Sequence, residues 1–261
     1  MRWEDLTSPD IDRLDRDATV LVLPIGSVEQ HGRHMPLGTD SMLAHGVALG
    51  AAARLAPGAA VVLPPPWYGY SPHHMRFPGT VTLSVATLAA LVGDIVDSLV
   101  AHRFRRIVLC NGHGGNAGII DVLSADLGAR HRGRARIAGL TYFKLAQAAI
   151  AALRESPPGG MGHACEFETA MMLHLRPDAV HMERAVAAYP DTGSPYLSTD
   201  LLSGSRVGTY IDFKDLSETG TFGDPGLATP DKGARFFAAV CDELAAFLAD
   251  FRGWPIADDA V

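Results

Sequence analysis

Residues 18–34 read ATVLVLPIGSVEQHGRH, and this stretch decides the fold. Ala18 to Ile25 is a short, unbroken apolar run, which reads as a buried strand. It ends at Gly26 and passes into a loop crowded with histidine, glycine and acid. The same pattern recurs along the chain. Ala59–Leu63 reads as a second strand, closed by Pro64, Pro65 and Pro66. Arg106–Cys110 (RIVLC) is a third and runs straight into NGHGGN, and Arg136–Tyr142 is a fourth.

Helical stretches fill the gaps. Asp40 or Ser41 starts one through MLAHGVALGAAARL, with an N-cap residue in place. Ser84 caps another through VATLAALVGDIVDSLVAHR, and a third runs from about Ala117 to Arg130. Farther on, His163–Leu175 reads as a helix ended by Arg176-Pro177, and Asp231–Phe251 as an amphipathic closing helix. Short strands alternating with helices imply βαβ units, a mostly parallel sheet and helices on both faces. Two stretches stand apart. Residues 67–84 form a long aromatic, Gly/Pro-rich loop of the kind that carries function. Residues 186–228 are Gly/Pro/Ser-rich and mostly irregular. No linker divides the 261 residues, so one domain over 1–261 is expected.

Composition narrows the function. Hydrophobic residues make up 48% and charged residues 20%, which excludes wholesale disorder. The net charge is −7, and no basic stripe exceeds Arg103–Arg106, so a nucleic-acid footprint is excluded. No apolar run reaches the roughly 18 residues of a membrane span, and the first 17 residues are polar and charged. A cytoplasmic protein is expected. Cys110, Cys165 and Cys241 form no CxxC pair, which excludes a zinc ribbon and a disulfide framework.

Chemistry gathers in three clusters. The first is Glu29-Gln30-His31-Gly32-Arg33-His34 with Asp40 shortly after. In extended chain, residues two apart point the same way, so Glu29 and His31 can face one ion and Asp40 can return to it. Carboxylates and imidazoles are the usual ligands of catalytic divalent ions. A polar surface loop with chance histidines is the bland alternative. The second cluster, Asn111–Asn116, is a glycine-rich strand-to-helix turn. It either cradles phosphate on backbone N–H groups or lets the backbone approach a site that His113 enters. It lacks both GxGxxG and a P-loop lysine. The third is Gly162-His163-Ala164-Cys165-Glu166-Phe167-Glu168. On a helix the two acids lie roughly 200° apart, so at most one faces a site. The alternative is an amphipathic helix with solvated acids. Clusters one and two sit at carboxyl ends of strands, where open α/β sheets bind ligands. Glu29, His31, Asp40, His113 and Glu168 are too many for one tetrahedral ion and suit two ions with a bridging carboxylate.

At these residues the sequence resembles the creatininase (creatinine amidohydrolase) family. The matching stretches are LPIGSVEQHGRHMPLGTD, YGYSPHHMRFPGTVTLS, LCNGHGGN, GHACEFETAMMLHLRPDAV and GTFGDPGLATPDKG, in that order. The resemblance implies a three-layer αβα sandwich, a binuclear metal site and ring-like homohexamers. It implies Glu29, His31, Asp40, His113 and Glu168 as metal ligands, Asp40 as the bridge and His163 as the catalytic histidine. It implies two divalent ions per chain, zinc first, with manganese or iron as alternatives. Gly114 and Gly115 replace a tyrosine and a metal-binding glutamate of creatininase, and Phe143 and Gly159 stand near its pocket tryptophans. Creatinine is therefore a poor candidate substrate. Other members with NGHGGN include a formamide deformylase and a peptidase that trims a precursor peptide.

The expected activity is hydrolysis of an amide-type C–N bond in a small cyclic amide, formamide or peptide-like substrate. A metal-bridged hydroxide attacks and His163 donates a proton to the leaving nitrogen. His74, Gly114 and Phe143 are candidates for substrate contact, with His73 beside His74 as the alternative loop histidine, and loop 67–84 is a candidate for reaching a neighbouring subunit's site. His34 reads as a partner of a metal ligand, Asn116 as a helix cap and Cys110 as core. Cys165 lacks the basic neighbours of a nucleophile, apart from His163. The rivals are a non-catalytic α/β protein holding a phosphorylated ligand, and a structural ring with a stabilising metal.

Overall fold

A computed structural model describes residues 1–256. The expected span of 1–261 also takes in residues 257–261, which lie outside those described. The elements follow in the order α1 (Ser8–Asp12), β1 (Val20–Ile25), α2 (Thr39–Ala52), β2 (Ala60–Val62), α3 (Val85–Ala101), β3 (Arg106–Asn111) and α4 (Ala117–Arg130). Then come β4 (Arg136–Thr141), α5 (Tyr142–Leu145), α6 (Gln147–Leu153), β5 (Met161–His163), α7 (Glu166–Leu175), α8 (Phe213–Leu216), β6 (Phe222–Gly223) and α9 (Pro230–Phe251).

The first four strands form one parallel sheet in the order β2-β1-β3-β4. The unbroken apolar run of β1 follows from cover on both faces. Val20 and Val22 pack with α2, α7 and α9, whereas Leu21, Leu23 and Ile25 pack with α3 and α4. Each such side chain, withdrawn from water, contributes roughly 1.5–3 kcal/mol. The result is the expected α/β fold, three layers in αβα order. Ser84 caps α3 by accepting from the Thr87 amide. Helix α9 starts at Pro230 behind Thr229, whose side chain accepts from the Lys232 amide, and buries Phe236, Val240, Leu244, Leu248 and Phe251. That spacing of three and four keeps one stripe on the core.

Strand register brings the clusters together. Ile25 pairs with Asn111, and Asn111 with Thr141, so the first two clusters leave the sheet side by side. Two glycines let α2 press against both ends. A Cβ at Gly26 would lie 2.3 Å from the Ser41 amide nitrogen, and one at Gly112 would lie 2.9 Å from Ala44 Cβ. Helix α2 starts at Thr39, so Asp40 lies in its first turn rather than capping it.

The third cluster departs from expectation. His163 is not helical: residues 161–163 form β5, which pairs antiparallel with β6, and α7 begins at Glu166. Ala164 between them is left-handed, with φ +50°. Alanine favours helix, so the sequence carries no sign of this break. Short helices α5 and α6 were not anticipated either. Within residues 186–228 the chain is irregular apart from single-turn helices, α8 and β6.

Candidate metal centre

Glu29, Asp40, His113, His163 and Glu168 line one cavity of about 560 Å³ at the carboxyl ends of the sheet. His31, fully buried, lies directly behind them. Asp40 is central. Its Oδ1 is 3.0 Å from His31 Nε2 and its Oδ2 is 2.9 Å from His113 Nδ1. Glu29 sits to one side, with Oε2 3.3 Å from His113 Nε2 and Oε1 3.7 Å from His163 Nδ1. Glu168 sits on the other side, Oε1 4.0 Å from His31 Nε2.

Backbone carbonyls orient the imidazoles. His31 Nδ1 lies 3.2 Å from the Glu29 carbonyl, His113 Nε2 3.1 Å from that of Tyr70, and His163 Nε2 2.7 Å from that of Gln30. An N–H donated there turns the other ring nitrogen toward the carboxylates, the arrangement that supports metal-ligating histidines. The carboxylates are held too. Ser71 Oγ donates to Glu29 Oε2 at 2.5 Å, and the Ala164 amide donates to Glu168 Oε2 at 2.6 Å.

The donor set fits divalent ions. Glu29 Oε1 and Asp40 Oδ2 are buried with no hydrogen-bond partner, although imidazole nitrogens stand close by. Buried oxygens left this way are costly unless something else satisfies them. Donor atoms of Glu29, His31 and Asp40 lie within 4.8 Å of one another, as do those of His31, His163 and Glu168.

Charge is balanced by protons when no ion is bound. Burial alone would lower His31, but the Asp40 carboxylate beside it raises it to about 9. His113 likewise rises, the opposing burial being outweighed by Glu29 and Asp40. Burial opposes ionisation of Asp40, yet His31 and His113 hold it below the usual carboxylate range. Burial lifts Glu168 to about 7. Metal uptake must displace the imidazole protons. His163 is neutral, lowered to about 3 by burial and then by His31.

The remaining candidates sort by position. His74 is fully buried beside Glu29, with Nε2 3.2 Å from Oε1. The Gln30 side chain fixes its tautomer. Gln30 Oε1 accepts from the Gly32 amide, so its Nε2 donates to His74 Nδ1 at 2.9 Å. The proton of neutral His74 therefore sits on Nε2, toward Glu29. Gly114 and Phe143 lie on the cavity wall. His34 is buried and pairs with Thr169 Oγ1 at 2.9 Å. Asn116 makes no cap; it ties Gly26, Tyr70 and Asn111 together. Cys165 and Cys110 are buried and burial pushes both thiols up, Cys110 to about 12, far from thiolate chemistry. Glu166 faces away from the centre and pairs with Lys232 at 2.9 Å.

Ser71 and the roof of the cavity escaped the sequence reading, whereas His73 is one of the two loop histidines that it singled out. Ser71, which holds Glu29, sits beside the two histidines of YSPHH, a signal that was available. His73 stacks on His113 with ring centroids 5.6 Å apart, and its donor atom groups with those of Glu29 and His113. Ser198, Tyr210, Ile211 and Phe213 roof the cavity from the irregular segment, where no periodicity marks them.

A parallel αβα sheet with this carboxylate–imidazole cluster defines a metallohydrolase-type α/β protein. The comparisons agree. The sequence model of the Creatininase family, described as creatinine amidohydrolase, matches residues 4–248. The mycofactocin precursor peptide peptidase of Mycobacterium tuberculosis is 34% identical over 96% of this chain and 93% of its own. The creatinine amidohydrolase of Pseudomonas putida is 37% identical over 68% of this chain and 72% of its own. Two solved creatininases, one named for Mn and a variant named as Zn–Zn type, each superpose with TM-score 0.79 at 30% identity, over 95% of this chain and 97% of theirs. The chain belongs to the creatininase family of metal-dependent amidohydrolases. It is a hydrolase acting on C–N bonds. No helix among the described residues is long and apolar enough to cross a membrane.

Proposed function

We propose that the chain hydrolyses a peptide-like or similarly extended amide, using two divalent ions held by Glu29, His31, Asp40, His113 and Glu168, with Asp40 between them. Zinc is the first choice, with manganese or iron as alternatives. One observation carries this reading: the two Asp40 oxygens each meet a different imidazole, with Glu29 and Glu168 on opposite flanks. When bound, such ions polarise a carbonyl and lower the pKa of water toward about 7.

The residues supply the proton path. Neutral His163 has its Nε2 on the Gln30 carbonyl and its Nδ1 toward Glu29 and the cavity. Nδ1 accepts the proton of the attacking water as the C–O bond forms. It then delivers that proton to the nitrogen as the C–N bond breaks. Transfer of this kind contributes typically about 10²–10⁴ in rate. Gly114 leaves the wall open, since a Cβ there would meet only Leu201 Cδ2 at 3.9 Å, and an open wall favours an extended substrate over a compact one such as creatinine. A phosphorylated ligand is disfavoured, because no Lys or Arg lines the cavity among the described residues.

The test is a panel of creatinine, formamides and short peptides against the zinc- and manganese-loaded protein. Turnover of peptides above creatinine supports the reading; turnover of formamides alone assigns the chain to deformylase chemistry. The working form on this reading is a cytoplasmic homohexamer, carried by family resemblance alone. A mass in solution six times that of the chain is the expected result.

A further inference from the structure

The cavity at the metal centre does not end there. Beyond a shared wall that includes Gly114, Phe143 and Ile211, it adjoins a second chamber of about 240 Å³. The two chambers differ in chemistry. The first is lined by histidines and carboxylates. The second is walled mainly by Phe143, Leu201, Ile211, Phe213, Leu216 and Phe222, with the exposed Lys144 also on its lining. The one carboxylate on its lining, Asp200, is spent elsewhere: it accepts from Arg154 and from the Gly159 and Leu202 amides. Apolar walls with few polar groups are the mark of a small-molecule subsite.

Gly114 stands at the junction. Its φ is not left-handed, and a Cβ there would meet only Leu201 Cδ2, at 3.9 Å. The backbone does not require glycine; what glycine leaves is open space between the two chambers. Gly115 is the contrast, since a Cβ there would lie 2.5 Å from His113 Nε2 and 2.7 Å from the Tyr70 carbonyl.

We propose that the second chamber is the substrate's side-chain subsite, taking a bulky apolar group, aromatic or branched aliphatic, joined to the amide that is cleaved. This rests on the amidohydrolase reading above. It makes the preferred substrate an amide with an extended apolar substituent. An apolar wall left without an occupant forfeits dispersion contacts and exposes hydrocarbon to water, and a buried substituent recovers both.

Two hydroxamates test it on the zinc-loaded full chain by calorimetry. Acetohydroxamate carries the metal-binding head alone; 4-phenylbutyrohydroxamate adds an apolar tail. The tailed probe is expected to bind at least tenfold more tightly. Leu216→Asp, which charges the far wall, and Gly114→Leu, which fills the junction, are each expected to cut that ratio to about twofold or less. The ratio is read within one variant, so a general loss of affinity does not imitate the effect. A ratio near one in the parent, or a large ratio that survives both substitutions, overturns the subsite and leaves the metal centre standing. Failure of acetohydroxamate to bind the zinc-loaded parent overturns the metal centre itself, and the subsite with it.

Discussion

Helix α7 carries two buried carboxylates, two residues apart, that live in opposite circumstances. Glu166 accepts from Lys232 Nζ at 2.9 Å and from the Ser156 and Glu155 amides at 2.8 and 3.0 Å. Burial opposes its charge, but Lys232 and the amides hold it below the usual carboxylate range. Glu168 has no lysine or arginine; it accepts from the Ala164 amide, and burial pushes it up to about 7. The first group is closed, with every partner supplied by the fold. The second belongs, with Glu29 and Asp40, to a centre whose oxygens are buried and partly unpartnered. The fold supplies the partners of Glu166; on the proposed reading, the open oxygens of the centre are left for bound ions.

Substitutions sharpen that contrast. The largest effect on rate is expected from His163→Ala: turnover falls by about 10²–10⁴-fold while bound metal is retained. Turnover and elemental analysis on the same sample check this, and loss of metal along with activity would make His163 a ligand. At the closed carboxylate, Lys232→Met is expected to cost about 3 kcal/mol, because it leaves Glu166 buried and unpaired. The readout is the denaturant midpoint. Metal content is expected to stay at the parental level, and metal loss without destabilisation would erase the distinction between the two acids. The smallest effect is expected from Ser71→Ala, which removes a donor to Glu29 Oε2 and leaves the candidate ligands in place. Removing such an outer partner lowers metal affinity by about 10–100-fold. Competition with a chelator measures it, and an unchanged affinity would show that Ser71 does not support Glu29.

The same contrast explains what was legible in the sequence. The sheet was readable because β1 and β3, six residues each, are long enough to carry an apolar run of their own. Glu29, His31 and His113 were readable as one cluster because they follow the ends of two strands, and Asp40 because it returns a few residues later at the start of α2. Glu168 was separable from Glu166 by helical geometry alone. Position 163 was misread as helix because β5 has three residues and pairs with β6 almost sixty residues away. No local pattern reports such pairing, and Ala164 at φ +50° has no signature in composition. The apolar chamber was hidden for a related reason. Ile211 lies outside any element, and Phe213, Leu216 and Phe222 come from α8 and β6, four and two residues long, too short to announce themselves, so only the folded path of the segment turns them to one wall. Gln30 and Ser71 act through hydrogen bonds between loops distant in sequence, which a linear reading does not rank.

The central claim is that Asp40 holds two ions in common. The direct measurement is the metal content of the zinc-reconstituted parent beside Asp40→Ala, with circular dichroism to show that both are folded. The account predicts about two divalent ions per chain in the parent and loss of most of them in the variant. Little metal in either protein, or equal metal in both, would contradict it.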